Sequence, residues 1–391
     1  MRRGRALAGV LALGLALVGA PAAAATPTWS VGPAWSVDPV APTAGCAATT
    51  LAGLTLPQQV GQLFMLGIGG VLESGEQDLI KSRHLGSVTF SAIVAGGRPT
   101  VHATANAVQA LASRATTGGV RFLVAANQEG GYVQALQGTG FDTIPSALTQ
   151  GSWSTSRLRT SAATWGRQLL RAGVNTDLAP VADVVPASWV SRNAPIGRLH
   201  REFGHAPDTV RSHVKAFQAG MIDAGVLTSV KHFPGLGRVV GNTDFTSGVR
   251  DTVTTRDDPF LTPFKKSIAN GVPIVMVSLA EYTKIDPGTL AAFSKPIIAG
   301  MLRGDLGFSG VVASDSLSAA AVSSVSPGDR AIRFIRAGGD LVVVTGLSDA
   351  RKMADAVLAK AQAKPTFAAK VAASALRILK VKDQAGLLPC S

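Results

Sequence analysis

The chain has 391 residues, 46% of them hydrophobic and 16% charged, which excludes a disordered polyelectrolyte and allows one large domain or two ordinary ones. Its formal net charge is +13, from 37 basic and 24 acidic residues. The basic residues form no dense run and no aromatic-basic alternation, so nucleic acid is not an expected partner. A loose attraction to an anionic cell wall is.

Met1 to Ala25 reads as an export signal. Arg2, Arg3 and Arg5 precede an apolar segment from Ala6 to Ala20, and Ala23, Ala24 and Ala25 offer small residues to a signal peptidase. An uncleaved leader is the alternative, and the one route to a membrane. Cleavage removes three arginines and leaves 13 − 3 = +10. The expected location is secreted or cell-wall associated. Thr26 to about Thr50 is rich in Pro, Ala, Thr and Ser without apolar periodicity and reads as a flexible tether. Cys46 and Cys390 are the only cysteines. Outside the cytoplasm they are expected to pair and tie the two ends of the mature chain.

One domain is expected over 51–391, with folding under way near Leu54. Apolar strand-like runs cover Gln62 to Ile68, Ser87 to Ser91, Phe122 to Asn127, Asp177 to Val184, Leu227 to Phe233, Ile274 to Ala280, Gly310 to Asp315 and Leu341 to Gly346. Helical patterns lie between them at Thr100 to Arg114, Ser156 to Ala172, Pro207 to Ala224, Pro259 to Asn270, Pro296 to Arg303 and Asp329 to Ala337. Eight alternating units with continuously apolar strands specify an α/β fold, a single (β/α)8 TIM barrel, with a doubly wound open sheet as the alternative. Polar residues favour the barrel. Asn127, Asp183, Lys231, His232 and Asp315 all fall at the C-terminal ends of strands, where barrels build their sites.

Three stretches carry the chemistry. Lys231 to Asp244 reads KHFPGLGRVVGNTD, Asn127 to Leu136 reads NQEGGYVQAL, and Asp315 lies in GFSGVVASDSL. The first resembles the KH(F/I)PGxG signature of glycoside hydrolase family 3, in the β-N-acetylglucosaminidase branch that trims peptidoglycan fragments. The others resemble that branch's DQEGGRVQR and nucleophile motifs, and the likeness runs from about Leu54 to about Ala361. It implies that Asp315 is the nucleophile, since a retaining glycosidase needs an ionised carboxylate to form a glycosyl ester. It also implies sugar-binding roles for Lys231, His232, Arg201 in GRLHREF, Asn127 and Glu129.

The chain departs from the pattern where the branch carries an Asp-Ser-His triplet. Those positions hold Asn242, Thr243 and Asp244. In one reading Asp244 is the acid/base, its pKa raised by burial or by Asp315, and Asn242 bonds it without adding charge. In the other the acid/base is missing and the barrel only binds glycans. Asn127 stands where the branch has Asp, and Ala135 where it has Arg. The expectation is a retaining exo-β-N-acetylglucosaminidase acting on peptidoglycan-derived amino sugars, monomeric, with no cofactor and no metal. A β-glucosidase or a phosphorylase of the same family are the other enzymatic alternatives.

Overall fold

The computed structural model describes residues 45–390. The leader, 1–25, and the tether up to residue 44 lie outside the described residues. Eight parallel strands form one sheet: β1 (Phe64–Ile68), β2 (Ser87–Phe90), β3 (Leu123–Ala126), β4 (Thr176–Asp177), β5 (Leu227–Phe233), β6 (Ile274–Val277), β7 (Val311–Ser314) and β8 (Val342–Val344). Their order around the sheet is β7-β6-β5-β4-β3-β2-β1-β8. A parallel bridge between Ala313 and Leu341 joins the two ends. There the Ser314 N–H donates to the Leu341 carbonyl at 3.0 Å, and the Val343 N–H donates to Ser314 Oγ at 3.1 Å. The fold is therefore an α/β barrel of the TIM type.

Every residue of β1, β2, β3, β6, β7 and β8 is buried. That is why these strands read as unbroken apolar runs rather than alternating ones. Apolar interiors of this kind contribute most of the favourable term in folding.

The fourth strand is the largest departure from the expected boundaries. It ends at Asp177 instead of running to Val184, because Pro180 has no N–H to give the ladder. Pairing resumes briefly at Val181, which bridges Lys231, and the Ala182 N–H donates to the Lys231 carbonyl at 2.7 Å. The irregular chain after β4 then carries Asp183 beside the end of β5.

The helix Pro207–Ala224 follows the expected bounds, with Pro207 in its first turn and Gly225 left-handed at its end. It packs on Thr155–Arg171, whose N-terminus is capped by Ser154. Folding starts earlier than Leu54, at a helix Cys46–Gly53 that overlaps the end of the expected tether. The disulfide Cys46–Cys390 explains why: it fixes this helix near the helix Pro365–Gln384, with the two Cα atoms 6.0 Å apart. The expected pairing is thus present. Among the described residues, no helix is long and apolar enough to cross a membrane.

Candidate active site

The loops following the strands enclose a cavity of about 560 Å³. Asn127, Arg201, Lys231, His232, Asn242, Asp244 and Asp315 all line it. Seven of the eight expected site residues, drawn from four separate stretches of chain, therefore meet in one place. Glu129 does not.

Glu129 sits beneath the cavity and is only 4% exposed. Lys231 Nζ lies 2.6 Å from its Oε1, and Arg201 binds it through two parallel bonds, Nε to Oε2 and Nη2 to Oε1, each 2.8 Å. Two buried cations need a counter-charge, and Glu129 supplies it. Burial alone would raise its pKa, but Arg201 and Lys231 bring it down to about 2. It is a fixed anion at any working pH. A hairpin between Gln128–Gly130 and Val133–Gln134 holds it there. Gly130, at φ +101, is required in that hairpin, since a Cβ would lie 2.3 Å from the Pro145 carbonyl oxygen.

Lys231 completes a second contact above, donating to Asn127 Oδ1 at 2.6 Å. An aspartate at position 127 would put a third carboxylate near Lys231, alongside Glu129 and Asp177. Asp177 is fully buried, and burial raises its pKa to about 7, against the Gln128 N–H and Lys231. Asn127 therefore binds the lysine without adding charge.

His232 is oriented by Asp183, which was seen at a strand end but given no role from the sequence. Asp183 Oδ2 accepts from His232 Nδ1 at 2.7 Å, and Oδ1 accepts from the backbone N–H groups of His232 and Leu236 at 3.1 and 2.9 Å. The carboxylate on Nδ1 leaves Nε2 as the nitrogen that faces Arg201 Nη2, 3.5 Å away. The KHFPGLG loop is pulled in close at this point. A Cβ on Gly237 would sit 1.8 Å from the Val184 carbonyl oxygen.

Arg201 is held on the remaining side by the Pro195 carbonyl at 2.9 Å. Burial works against its charge, but Glu129 outweighs it, with Asp183 and Asp315 adding to the effect, so its pKa is raised. The site thus carries permanent positive charge facing Asp315. That carboxylate, directly after β7, takes the Ser316 N–H on Oδ1 at 2.8 Å.

Asp244 approaches from the opposite loop, on a turn that begins at Asn242. Asp244 itself is exposed rather than buried, but the protein atoms packed near its carboxyl and then the charge of Asp315 raise its pKa, against Arg201, His232 and Lys231. Asn242 plays a different part from the expected one. Its Oδ1 accepts from the backbone N–H of Asp244 at 3.0 Å, so it shapes the turn and does not bond the carboxylate. Two backbone bonds, from Ala320 N–H to the Asp244 carbonyl and from Ala321 N–H to the Thr243 carbonyl, each 3.1 Å, join this turn to the segment after Asp315. Residues not anticipated from the sequence also line the cavity, among them Thr89, Ser91, Thr243, Phe245 and Ser316. Short polar side chains and a single Phe carry no pattern that would separate them from ordinary loop residues.

A crystal structure described as a β-N-acetylhexosaminidase from Beutenbergia cavernae DSM 12333 is 48% identical, with a TM-score of 0.83, over 84% of this chain and 98% of that one. An "uncharacterized secreted glycosyl hydrolase" of Arthroderma benhamiae is 32% identical over 57% of this chain, and a "beta-N-acetylglucosaminidase/beta-glucosidase" of Cellulomonas fimi is 31% identical over 76%. The chain spans 63% and 52% of the length of those two relatives. The model of the Glycosyl hydrolase family 3 N terminal domain matches residues 55–381, further than the Ala361 at which the sequence likeness was placed, and the chain belongs to glycoside hydrolase family 3.

Proposed function

We propose that the protein is a retaining exo-β-N-acetylglucosaminidase in which Asp315 is the nucleophile and Asp244 the acid/base. The observation that carries this reading is that the two carboxyl groups, from different loops, line one cavity in unlike surroundings. Asp315 faces Arg201 and takes a backbone donor, while the surrounding protein and the charge of Asp315 raise the pKa of Asp244. Two carboxyl groups in unlike surroundings can divide the roles of nucleophile and acid.

In the first step Asp315 attacks the anomeric carbon, the bond to the leaving oxygen breaks, and Asp244 gives that oxygen its proton. In the second, water attacks the glycosyl ester, Asp244 takes the water's proton, and the Asp315 carboxylate is released. Lys231, His232 and Arg201 hold the sugar against a rigid lower layer of Glu129 and Asp183. The names of the Beutenbergia and Cellulomonas relatives support an N-acetylhexosamine at the reacting position. Peptidoglycan fragments as the source of that sugar rest on the branch resemblance. Export to the cell envelope or beyond draws support from the Arthroderma relative's description.

The test is turnover of a chromogenic β-N-acetylglucosaminide and of a natural disaccharide. Asp315→Asn is expected to abolish both. Asp244→Ala is expected to cost roughly 10²–10⁴-fold on the disaccharide and much less on the aryl glycoside, whose leaving group needs no proton. The pH profile gives a separate check. An acid works while protonated, so the rate falls as pH rises through the raised Asp244 pKa, and the variant is expected to lose that alkaline limb. Sugar binding without turnover by the parent protein would favour a glycan-binding barrel instead.

A further inference from the structure

We propose that Phe245 is the platform for the sugar ring on the leaving-group side of the scissile bond. This rests on the hydrolase reading above and adds where the second ring sits. Phe245 is 82% exposed, yet it lines the cavity. A single exposed apolar side chain is ordinary on a protein surface; what sets this one apart is that it lines the cavity next to the acid.

Its position in the chain says which part of the substrate. An acid that protonates the leaving oxygen must lie beside that oxygen, so Asp244 marks the leaving-group side of the site. Phe245 is the next residue on the same turn. The turn is preorganised from within and from without. Phe245 and Thr246 N–H groups donate to the Asn242 carbonyl at 3.1 and 2.8 Å, and Ala320 and Ala321 hold the backbone of Asp244 and Thr243. With the backbone held in this way, only the two side-chain torsions of Phe245 are left to be ordered when the ring is covered.

The chemistry of the occupant follows from the platform. A phenyl ring offers no hydrogen-bonding group and no charge; what it can cover is the C–H face of an uncharged pyranose. Tyr132, 73% exposed, edges a separate depression of about 150 Å³ beside Asn127 and lies on a different loop from the acid. It is the natural control.

The experiment compares two substrates in the purified protein: a β-1,4-linked disaccharide of N-acetylglucosamine, and β-N-acetylglucosaminyl fluoride, which has no second ring. The readout is the ratio of their kcat/KM values. Phe245→Ala is expected to lower the disaccharide-to-fluoride ratio about tenfold, Phe245→Trp to keep or raise it, and Tyr132→Ala to leave it where it was. If Phe245→Ala leaves the ratio unchanged, or if Tyr132→Ala lowers it instead, the platform assignment is wrong while the hydrolase reading stands. If the parent protein turns over neither substrate, the hydrolase reading fails and this assignment fails with it.

Discussion

Asp183 Oδ2 accepts a hydrogen bond from His232 Nδ1 at 2.7 Å while its other oxygen holds the backbone N–H of the same residue at 3.1 Å. One carboxylate therefore fixes both the ring and the chain of His232. Replacing it with Asn puts an amide where two acceptor oxygens are needed and frees the ring to flip. Asp183→Asn is expected to lower kcat/KM by roughly ten- to a hundredfold, equivalent to about 1–3 kcal/mol. Rates on the glycosyl fluoride decide it. A variant with wild-type kcat/KM would show that the orientation of His232 is not used.

Much of this was legible in the chain itself, for reasons that differ by residue. The run Val226 to Val230 followed by Lys-His placed β5 correctly and put two polar side chains at its end, where both line the cavity, because a buried parallel strand ending in polar groups has few other meanings. Pro207 and Gly225 framed a helix for equally local reasons. Asp183 was visible at a strand end, but its partner lies 49 residues away, and no local pattern reports a contact of that range. Glu129 was placed near the sugar because a charged residue in a motif can face a ligand or a counter-ion, and only the arrangement of Arg201 and Lys231 around it decides. Asn242 misled similarly: its side chain serves its own turn, as Asn commonly does in loops.

The layer beneath the cavity makes its own prediction. Glu129 is the counter-charge for two buried cations, so Glu129→Gln leaves both short of a partner. Breaking a buried ion pair from one side costs about 3–5 kcal/mol. The loss should fall toward the lower end, because Asp177, whose carboxyl is held up near 7 partly by Glu129, ionises more readily once that charge is gone. Urea unfolding should show a lower midpoint with an unchanged slope. An unaltered midpoint would mean that the neighbouring aspartates already neutralise Lys231 and Arg201.

The disulfide closes nearly the whole folded chain, with Cys46 and Cys390 separated by 344 positions. Loop-closure entropy for so long a loop sets a ceiling of about 6 kcal/mol, and relaxation of the ends lowers the expected value to about 2–4 kcal/mol. The Cys46→Ser, Cys390→Ser double variant should lose that much in thermal or urea unfolding while keeping its activity. The bond lies against the helix Cys46–Gly53, whose buried residues Cys46, Ala47 and Thr50 bury little surface of their own. Hydrogen exchange in the variant should therefore accelerate first in that helix and in the last turns of Pro365–Gln384. Loss of activity together with stability would instead tie the bond to the site.

Glu202 follows Arg201 in the chain and points the other way in its chemistry. Its side chain is fully buried, and neither carboxyl oxygen meets a well-formed hydrogen bond from another residue. Burial raises its pKa to about 7, against its own backbone N–H, with the charge of Asp183 adding to the rise. In the unfolded chain the same group titrates near 4.3 (about the usual glutamate value). Between those two values the folded protein holds a proton that the unfolded chain has released, so stability falls as pH rises through this window. Below it both states are protonated and nothing is lost; above it the full cost, on the order of 3–4 kcal/mol, has been reached. Glu202→Gln keeps the neutral shape and has no proton to lose. The variant should match the parent near pH 4 and exceed it in unfolding free energy by that amount at pH 8. A difference that does not change with pH would show that Glu202 is already ionised in the folded protein.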